Sequence, residues 1–323
     1  MSPHGPFFLV GFQRSGTTLL RLMMNAHPEI GIPHDSAELW LRYRKQLDKY
    51  DHLRTVQSAI ALIQDLLAEP RIEAWQTPLP KEALLSEPLP TNFPAIMDRF
   101  HQVYVRFHGK KFWGDKNTGN LTELDQLNVM FPACKIIHLI RDGRDCALSH
   151  GSEEYVYGYE NVLRVAKEWK NQVTLCRKMG AMLPSERFYE LRYEDLITNS
   201  ESELKGVCDF LQISFSPRML NYYKDVKRHV PEGRRSLWPL LDKPPVTSNA
   251  FKWKSSMKLG DLAVFERVAG SLLEEVGYER LNQRPTGGVV REFLYEIDSS
   301  LSWRLQRIRS FGRRKTRAGE NRG

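Results

Sequence analysis

Residues 7–18 read FFLVGFQRSGTT, in which Gly11 and Gly16 have the spacing of a phosphate-binding loop, GxxxxGKS/T. Thr17 stands where that pattern places its lysine. The run from Phe7 through Phe12 is apolar apart from Gly11, as expected of a central parallel strand covered on both faces. Beyond the loop, Leu19, Leu20, Met23 and Met24 recur at helical spacing, and His27-Pro28 closes that helix. A strand, a glycine-rich turn and a helix therefore open the chain. The backbone N–H groups of such a turn, at the positive end of a helix, form an anion site, to which Thr17 and Thr18 add hydroxyl donors. The loop's cation is Arg14, ahead of Gly16 rather than behind it. This arrangement suits one phosphate with an adjacent anionic group better than a magnesium-bound triphosphate.

Outward from the loop the pattern is α/β. EIGIP (29–33) reads as a second, short strand. KKFWGDKNTGN leads into a helix over 121–130, and KIIHLI (135–140) is an apolar strand. A long helix is expected over 160–179, a strand at RFYELRY (187–193) and a helix at SESELKGVCDFL (200–211). Alternating strands and helices predict a P-loop-like, doubly wound parallel sheet flanked by helices. Residues 36–108 depart from that rhythm. Three helical patterns, in 36–50, 53–69 and 95–107, surround a proline-rich connection, and the segment carries Trp40, Tyr43, Tyr50, Trp75, Phe93, Phe100, Tyr104 and Phe107. It reads as a helical insertion over the sheet, its aromatics open to helix packing or to lining a pocket. His101 and His108 read as helix residues, not ligands.

KIIHLIRDGRDCALSH repeats the logic of the opening: an apolar strand followed by a polar turn into a helix. Ligands of open α/β sheets sit at the carboxyl ends of strands, where Arg141 would emerge, with Ser149 two helical turns on. Arginine grips a phosphate with two parallel donors. The competing reading of this stretch is a solvated helix start with Arg144 and Asp145 paired at the surface.

Taken with that second anion site, GFQRSGTTLLRLMMNAHP resembles the 5′-phosphosulfate loop of sulfotransferases that use 3′-phosphoadenosine 5′-phosphosulfate (PAPS). It is most similar to the bacterial and tyrosylprotein branches, with RSGTT in place of KSGTT. The resemblance implies that Arg14, Ser15, Gly16, Thr17 and Thr18 hold the 5′-phosphosulfate and that Arg141 and Ser149 hold the 3′-phosphate. LRYEDL resembles a segment that places Tyr193 near the adenine. AFKWKSSM resembles a late loop in which Lys252, with Lys254 in reserve, closes over the nucleotide. WGDKNTGN resembles the segment that supplies a catalytic lysine, here Lys116, assisted by Arg14. The general base of the family is a glutamate after the short second strand; here GIPHDSAEL puts Asp35, one methylene shorter, in that place. His34 and Glu38 are the alternatives, and a helix cap is the other fate open to Asp35. The matched segments cover 7–38, 111–150, 187–213 and 250–254. The implied reaction moves a sulfuryl group from PAPS to a hydroxyl of a small-molecule, carbohydrate or lipid acceptor, without a metal.

Charge bears on partners. Of the net +8, the last forty residues hold +6, with ten Lys/Arg against four acids, so the body is near neutral. That describes a basic tail, not a nucleic-acid-binding face. The expected organisation is a sulfotransferase domain over 1–283 and, over 284–323, a basic amphipathic helix with a disordered end. Val290, Phe293, Leu294, Ile297, Leu301, Leu305 and Ile308 form its apolar stripe, suited to the parent domain, a sister subunit or an anionic membrane surface. Four cysteines without CxxC spacing read as free thiols. With no apolar run near 18 residues and no signal-peptide pattern, a cytoplasmic protein is expected. A P-loop kinase and a non-catalytic basic binding module are the competing classes. The first lacks its lysine at Thr17, and the near-neutral body argues against the second.

Overall fold

The computed structural model describes residues 5–34, 39–116, 121, 123–151, 161–230, 232, 238–281 and 294–295. Among these, five strands form one sheet: β1 (Phe7–Val10), β2 (Ile30–Gly31), β3 (Phe112–Lys116), β4 (Lys135–Ile140) and β5 (Phe188–Arg192). Their spatial order is β2-β3-β1-β4-β5, and every pairing is parallel. β1 lies at the centre, with Leu9 opposite Lys116 of β3 and Ile137 of β4. This is the doubly wound sheet expected from the sequence.

The strand at β3 was not foreseen. FWGDK contains Gly114, Asp115 and Lys116, residue types depleted in strands. Its place is set by pairing, because β1 and β2 present open ladders to either side.

Alternation along β1 divides the core. Phe8 and Val10 join one apolar cluster and Phe7 and Leu9 the other, as period-2 geometry requires of a strand covered on both faces. The Phe8 side is built by the helical insertion: α2 (Leu39–Arg44), α3 (Val56–Leu67), the single turns α4 (Pro70–Glu73) and α5 (Lys81–Leu84), and α6 (Phe93–Phe107). The first expected helix is shorter than its pattern. It gives way to a tight 3₁₀ stretch over Leu47–Leu53, where Asp51, His52 and Leu53 adopt positive φ. α3 opens on Thr55, which accepts from the Ser58 amide, and α6 on Asn92, which accepts from the Ala95 amide. All the aromatics of the insertion named above are buried in this cluster except Phe107, which is 54% exposed. They are core.

On the Phe7 side lie α1 (Thr17–Asn25), then, after α7 (Leu124–Met130), α8 (Gly143–Gly151) and α9 (Val162–Gly180) further along the chain, α10 (Tyr193–Thr198) and α11 (Ser200–Leu211). α10 was not anticipated by the sequence reading. α12 (Val226–His229), α13 (Trp253–Ser256) and α14 (Leu259–Glu275) complete the described helices.

The chain divides into two compact units: residues 1–141 with 175–250, and residues 142–174 with 251–323. The first holds the sheet, the insertion and both apolar clusters. The second holds α8, α13 and α14, with Trp169 against Phe265. All four cysteines are buried and free, as expected. Of the tail, Leu294 and Tyr295 are described. Leu294, a member of the apolar stripe, is 56% exposed, while the Tyr295 hydroxyl bonds Asp261 Oδ1 at 2.6 Å. The rest of the stripe and the basic end lie outside the described residues. No described helix is long and apolar enough to cross a membrane.

His101 is wholly buried on α6, stacked on Trp113 with ring centroids 4.2 Å apart and its Nδ1 2.9 Å from the Met97 carbonyl. Burial pushes its imidazole down from 6.5 to about 4. The unfolded chain therefore takes up this proton near pH 6.5 while the folded protein refuses it. The His101 contribution to stability is intact above that pH and falls as pH drops towards 4. Between pH 7 and 5 the loss should be about 2 kcal/mol, absent in His101→Phe. Urea midpoints of the two proteins at both pH values check it.

Candidate active site

The carboxyl ends of all five strands deliver candidate site residues to one edge of the sheet. β2 runs out to His34, β3 ends on Lys116, β1 feeds the loop 11–16, β4 is followed by Arg141 and β5 by Tyr193. The adjacency of β3, β1 and β4 makes Lys116, the loop and Arg141 neighbours by topology.

The loop is shaped by close approach. A methyl group on Gly11 would lie 2.6 Å from the Leu139 carbonyl oxygen, so the chain leaves β1 with no room for a side chain. Arg14 has φ 67° and Gly16 φ 91°, and Ser15 N donates to Phe12 O at 3.1 Å, which closes the turn. Gly16 is the N-cap of α1, whose first turn contains no acid and whose cap uses no side chain. The positive end of α1 thus stays available to an external anion. Ser15, Thr17 and Thr18 are buried beside it.

α1 is fixed from below by Arg21, 1% exposed, whose guanidinium donates to His229 O at 2.9 Å and towards Ile32 O and Pro33 O at 3.4 Å. Asn25 Oδ1 accepts from Ile32 N at 3.0 Å, and Lys110 Nζ donates to Ile30 O at 2.7 Å. These bonds hold the carbonyls after β2 and so the chain that leads into His34. His34 is buried; Asp35 and Glu38 lie outside the described residues. Lys116 is 5% exposed, with Asp115 buried beside it.

Arg141 is buried and donates from Nη1 to Arg14 O and from Nη2 to Asn249 O, both at 3.0 Å. Its guanidinium carbon stands 4.5 Å from the centroid of the Tyr193 ring. Tyr193 also faces Gly16: a methyl there would lie 2.3 Å from Cδ2 of that ring. Asn249 Nδ2 donates to the Tyr193 hydroxyl at 2.7 Å. The tyrosine is therefore part of the loop's support.

In the second unit, the surface pairing of Arg144 with Asp145 does not occur. Arg144 is wholly buried, with both Asp142 oxygens (2.8–3.0 Å), Glu266 Oε1 (2.6 Å) and Glu279 O (2.7 Å) as acceptors. Its guanidinium carbon lies 3.5 Å from the Trp253 ring centroid. Asp145 Oδ1 accepts from Trp253 N at 2.9 Å instead. A guanidinium that must lose its hydration finds full satisfaction only in such a ring of acceptors. Together these contacts tether the segment that carries Lys252. Lys252 is exposed at the start of α13, with no ion-pair partner among the described residues, whereas Lys254 is paired with Glu279 at 2.7 Å. Ser149 sits on α8. Sequence reasoning missed the roles of Arg21, Arg144 and Asn249. A buried arginine leaves no signature that separates it from a surface one.

The profile of the Sulfotransferase family matches residues 6–217, about two thirds of the chain, and the protein belongs to that family. Over 222 residues it is 24% identical to chicken (Gallus gallus) protein-tyrosine sulfotransferase 2, covering 67% of this chain and 53% of that protein. The chain thus spans about half the length of that relative. The sulfotransferase domain of the Synechococcus PCC 7002 olefin synthase superposes with a TM-score of 0.59 at 20% identity, covering 86% of this chain and 96% of the other. The sulfotransferase domain from the curacin biosynthetic pathway gives 0.57 at 21%, over 87% and 100%. At these identities the structural likeness speaks for the fold.

Arg144→Leu removes the cation and leaves the Asp142 and Glu266 carboxylates buried without it. We expect a loss of about 3–5 kcal/mol, read as a lower urea midpoint.

Proposed function

We propose that this protein transfers the sulfuryl group of PAPS to a hydroxyl of a small-molecule, carbohydrate or lipid acceptor. The observation that carries the proposal is the delivery of Lys116, an acid-free helix N-terminus and Arg141 to one sheet edge by three neighbouring strands. The chemistry of this set fits the donor. A glycine-lined turn with buried serine and threonine hydroxyls accommodates a phosphate, two cations, Lys116 and Arg14, serve the phosphosulfate, and Arg141 serves a second phosphate. Among the described residues, no group of three His, Cys, Asp or Glu side chains is placed to hold a metal ion.

In this reading the amides of the loop with Ser15, Thr17 and Thr18 hold the 5′-phosphosulfate. Arg141 and Ser149 take the 3′-phosphate, Tyr193 borders the adenine, and Lys252 closes over the nucleotide. Asp35 removes the acceptor's proton, with His34 and Glu38 as the alternatives along the same segment. The acceptor oxygen attacks sulfur in line, the new O–S bond forms as the bond from sulfur to the 5′-phosphate oxygen breaks, and the charge left on that oxygen is met by Lys116 and Arg14. Most of the rate comes from positioning and electrostatic stabilisation, as in phosphoryl transfer. The acceptor enters from the insertion side, and the tail provides the peripheral membrane or subunit contact that its charge and apolar stripe suit. The protein works in the cytoplasm.

Calorimetric titration with 3′-phosphoadenosine 5′-phosphate (PAP) should show much tighter binding than with ATP-Mg, because ATP has no 3′-phosphate; equal or reversed affinities would remove the nucleotide assignment. Lys116→Ala should lower kcat far more than donor affinity. Asp35→Asn should keep PAP binding and lose turnover, measured with radiolabelled PAPS on a panel of hydroxylated compounds.

A further inference from the structure

Four groups in the first unit close on one another in a ring. Arg141 donates to the carbonyls of Arg14 and Asn249, each at 3.0 Å. The Asn249 side chain donates to the Tyr193 hydroxyl at 2.7 Å. The Tyr193 ring lies against Gly16 and 4.5 Å from the Arg141 guanidinium carbon. Asn249 is the member through which residues far apart in the chain, 14–16, 141 and 193, are joined to one another. Both of its polar ends are used: its backbone carbonyl orients the guanidinium and its side-chain amide orients the phenol.

We propose that Asn249 is a positioning residue that sets the direction of the Arg141 guanidinium and thereby the selectivity for a nucleotide bearing a 3′-phosphate. The proposal rests on the nucleotide reading above. An arginine binds a phosphate well when its planar fork is held in advance, because less side-chain freedom is then lost on binding. The Arg14 and Asn249 carbonyls fix two of its five donors in direction, and the Tyr193 face fixes the plane. Tyr193 cannot supply that plane if its ring is free to turn about the loop, and the bond from Asn249 to its hydroxyl prevents this. Replacing Asn249 by alanine keeps the backbone carbonyl and removes the amide. The variant therefore isolates the tie to Tyr193, and through it the stacking of Tyr193 on Arg141.

The test compares PAP with AMP, which shares the adenosine and the 5′-phosphate but has no 3′-phosphate, by titration calorimetry on the full chain. Asn249→Ala should weaken PAP by about five- to ten-fold, the worth of one hydrogen bond, and change AMP by less than about two-fold. Tyr193→Phe, which removes the same bond from its other end and keeps the ring, should cost PAP more than it costs AMP. The double variant should be no weaker than the worse single one, since both delete one interaction. A variant that weakens PAP and AMP alike acts through general loosening and overturns the proposal, as does one that keeps the wild-type preference for PAP. If the Asn249 variant does not fold, Tyr193→Phe decides alone on the same readout. A wild-type protein that binds PAP no better than AMP sinks the nucleotide reading itself, an outcome distinct from a discriminating wild type whose variants discriminate equally.

Discussion

The positive end of α1 is pinned at the carboxyl edge of the sheet by a contact that admits no side chain. Gly16 turns with φ 91° directly beneath the Tyr193 ring, and the helix starts from it without a capping side chain. Much of the rest of the first unit serves that placement. Arg21 and Asn25 tie the body of α1 to the turn after β2 and to His229. Gly11 lets β1 leave the sheet against the Leu139 carbonyl. The positive end of the α1 dipole is thereby held at this edge, with no acid in its first turn and no capping side chain.

The two faces of the sheet divide the labour. On the Phe7 side, α1, α10 and α11 form the support beneath the loop. On the Phe8 side, the insertion supplies a dense aromatic core in which Trp40, Trp75, His101 and Trp113 are in ring contact and Trp113 Nε1 donates to Asp98 at 2.7 Å. Most of those aromatic rings are therefore consumed by packing, and through Trp113 they pack against β3, the strand that ends on Lys116.

Arg144 shows how a motif read as surface chemistry becomes architecture. In RDGRD the first arginine stands at the end of β4, whereas the second is drawn wholly inside by Asp142 and Glu266, with its guanidinium carbon over the Trp253 ring. Asp145, freed from Arg144, takes the Trp253 amide. The chain near Lys252 is consequently anchored to the first turns of α8 instead of hanging as an open loop.

The amino-acid sequence alone determined the sheet class, the loop at 11–18, the strands at β1, β4 and β5 and the helices at α1 and α11, because each is written in local periodicity, glycine spacing and caps. The same local signals marked Arg14, Thr17 and Arg141 as candidates, Lys116 came from the resemblance alone, and the family match bears out that resemblance. Tertiary structure alone decided the rest. β3 exists because two open strand edges recruit a segment of poor strand propensity. The insertion's aromatics became core because the Phe8 face had to be covered, and the partners of Arg144, Arg21 and Asn249 come from residues up to 208 positions away. A local pattern records the conformation that a segment prefers; which buried charge finds which distant carbonyl depends on how the whole chain closes.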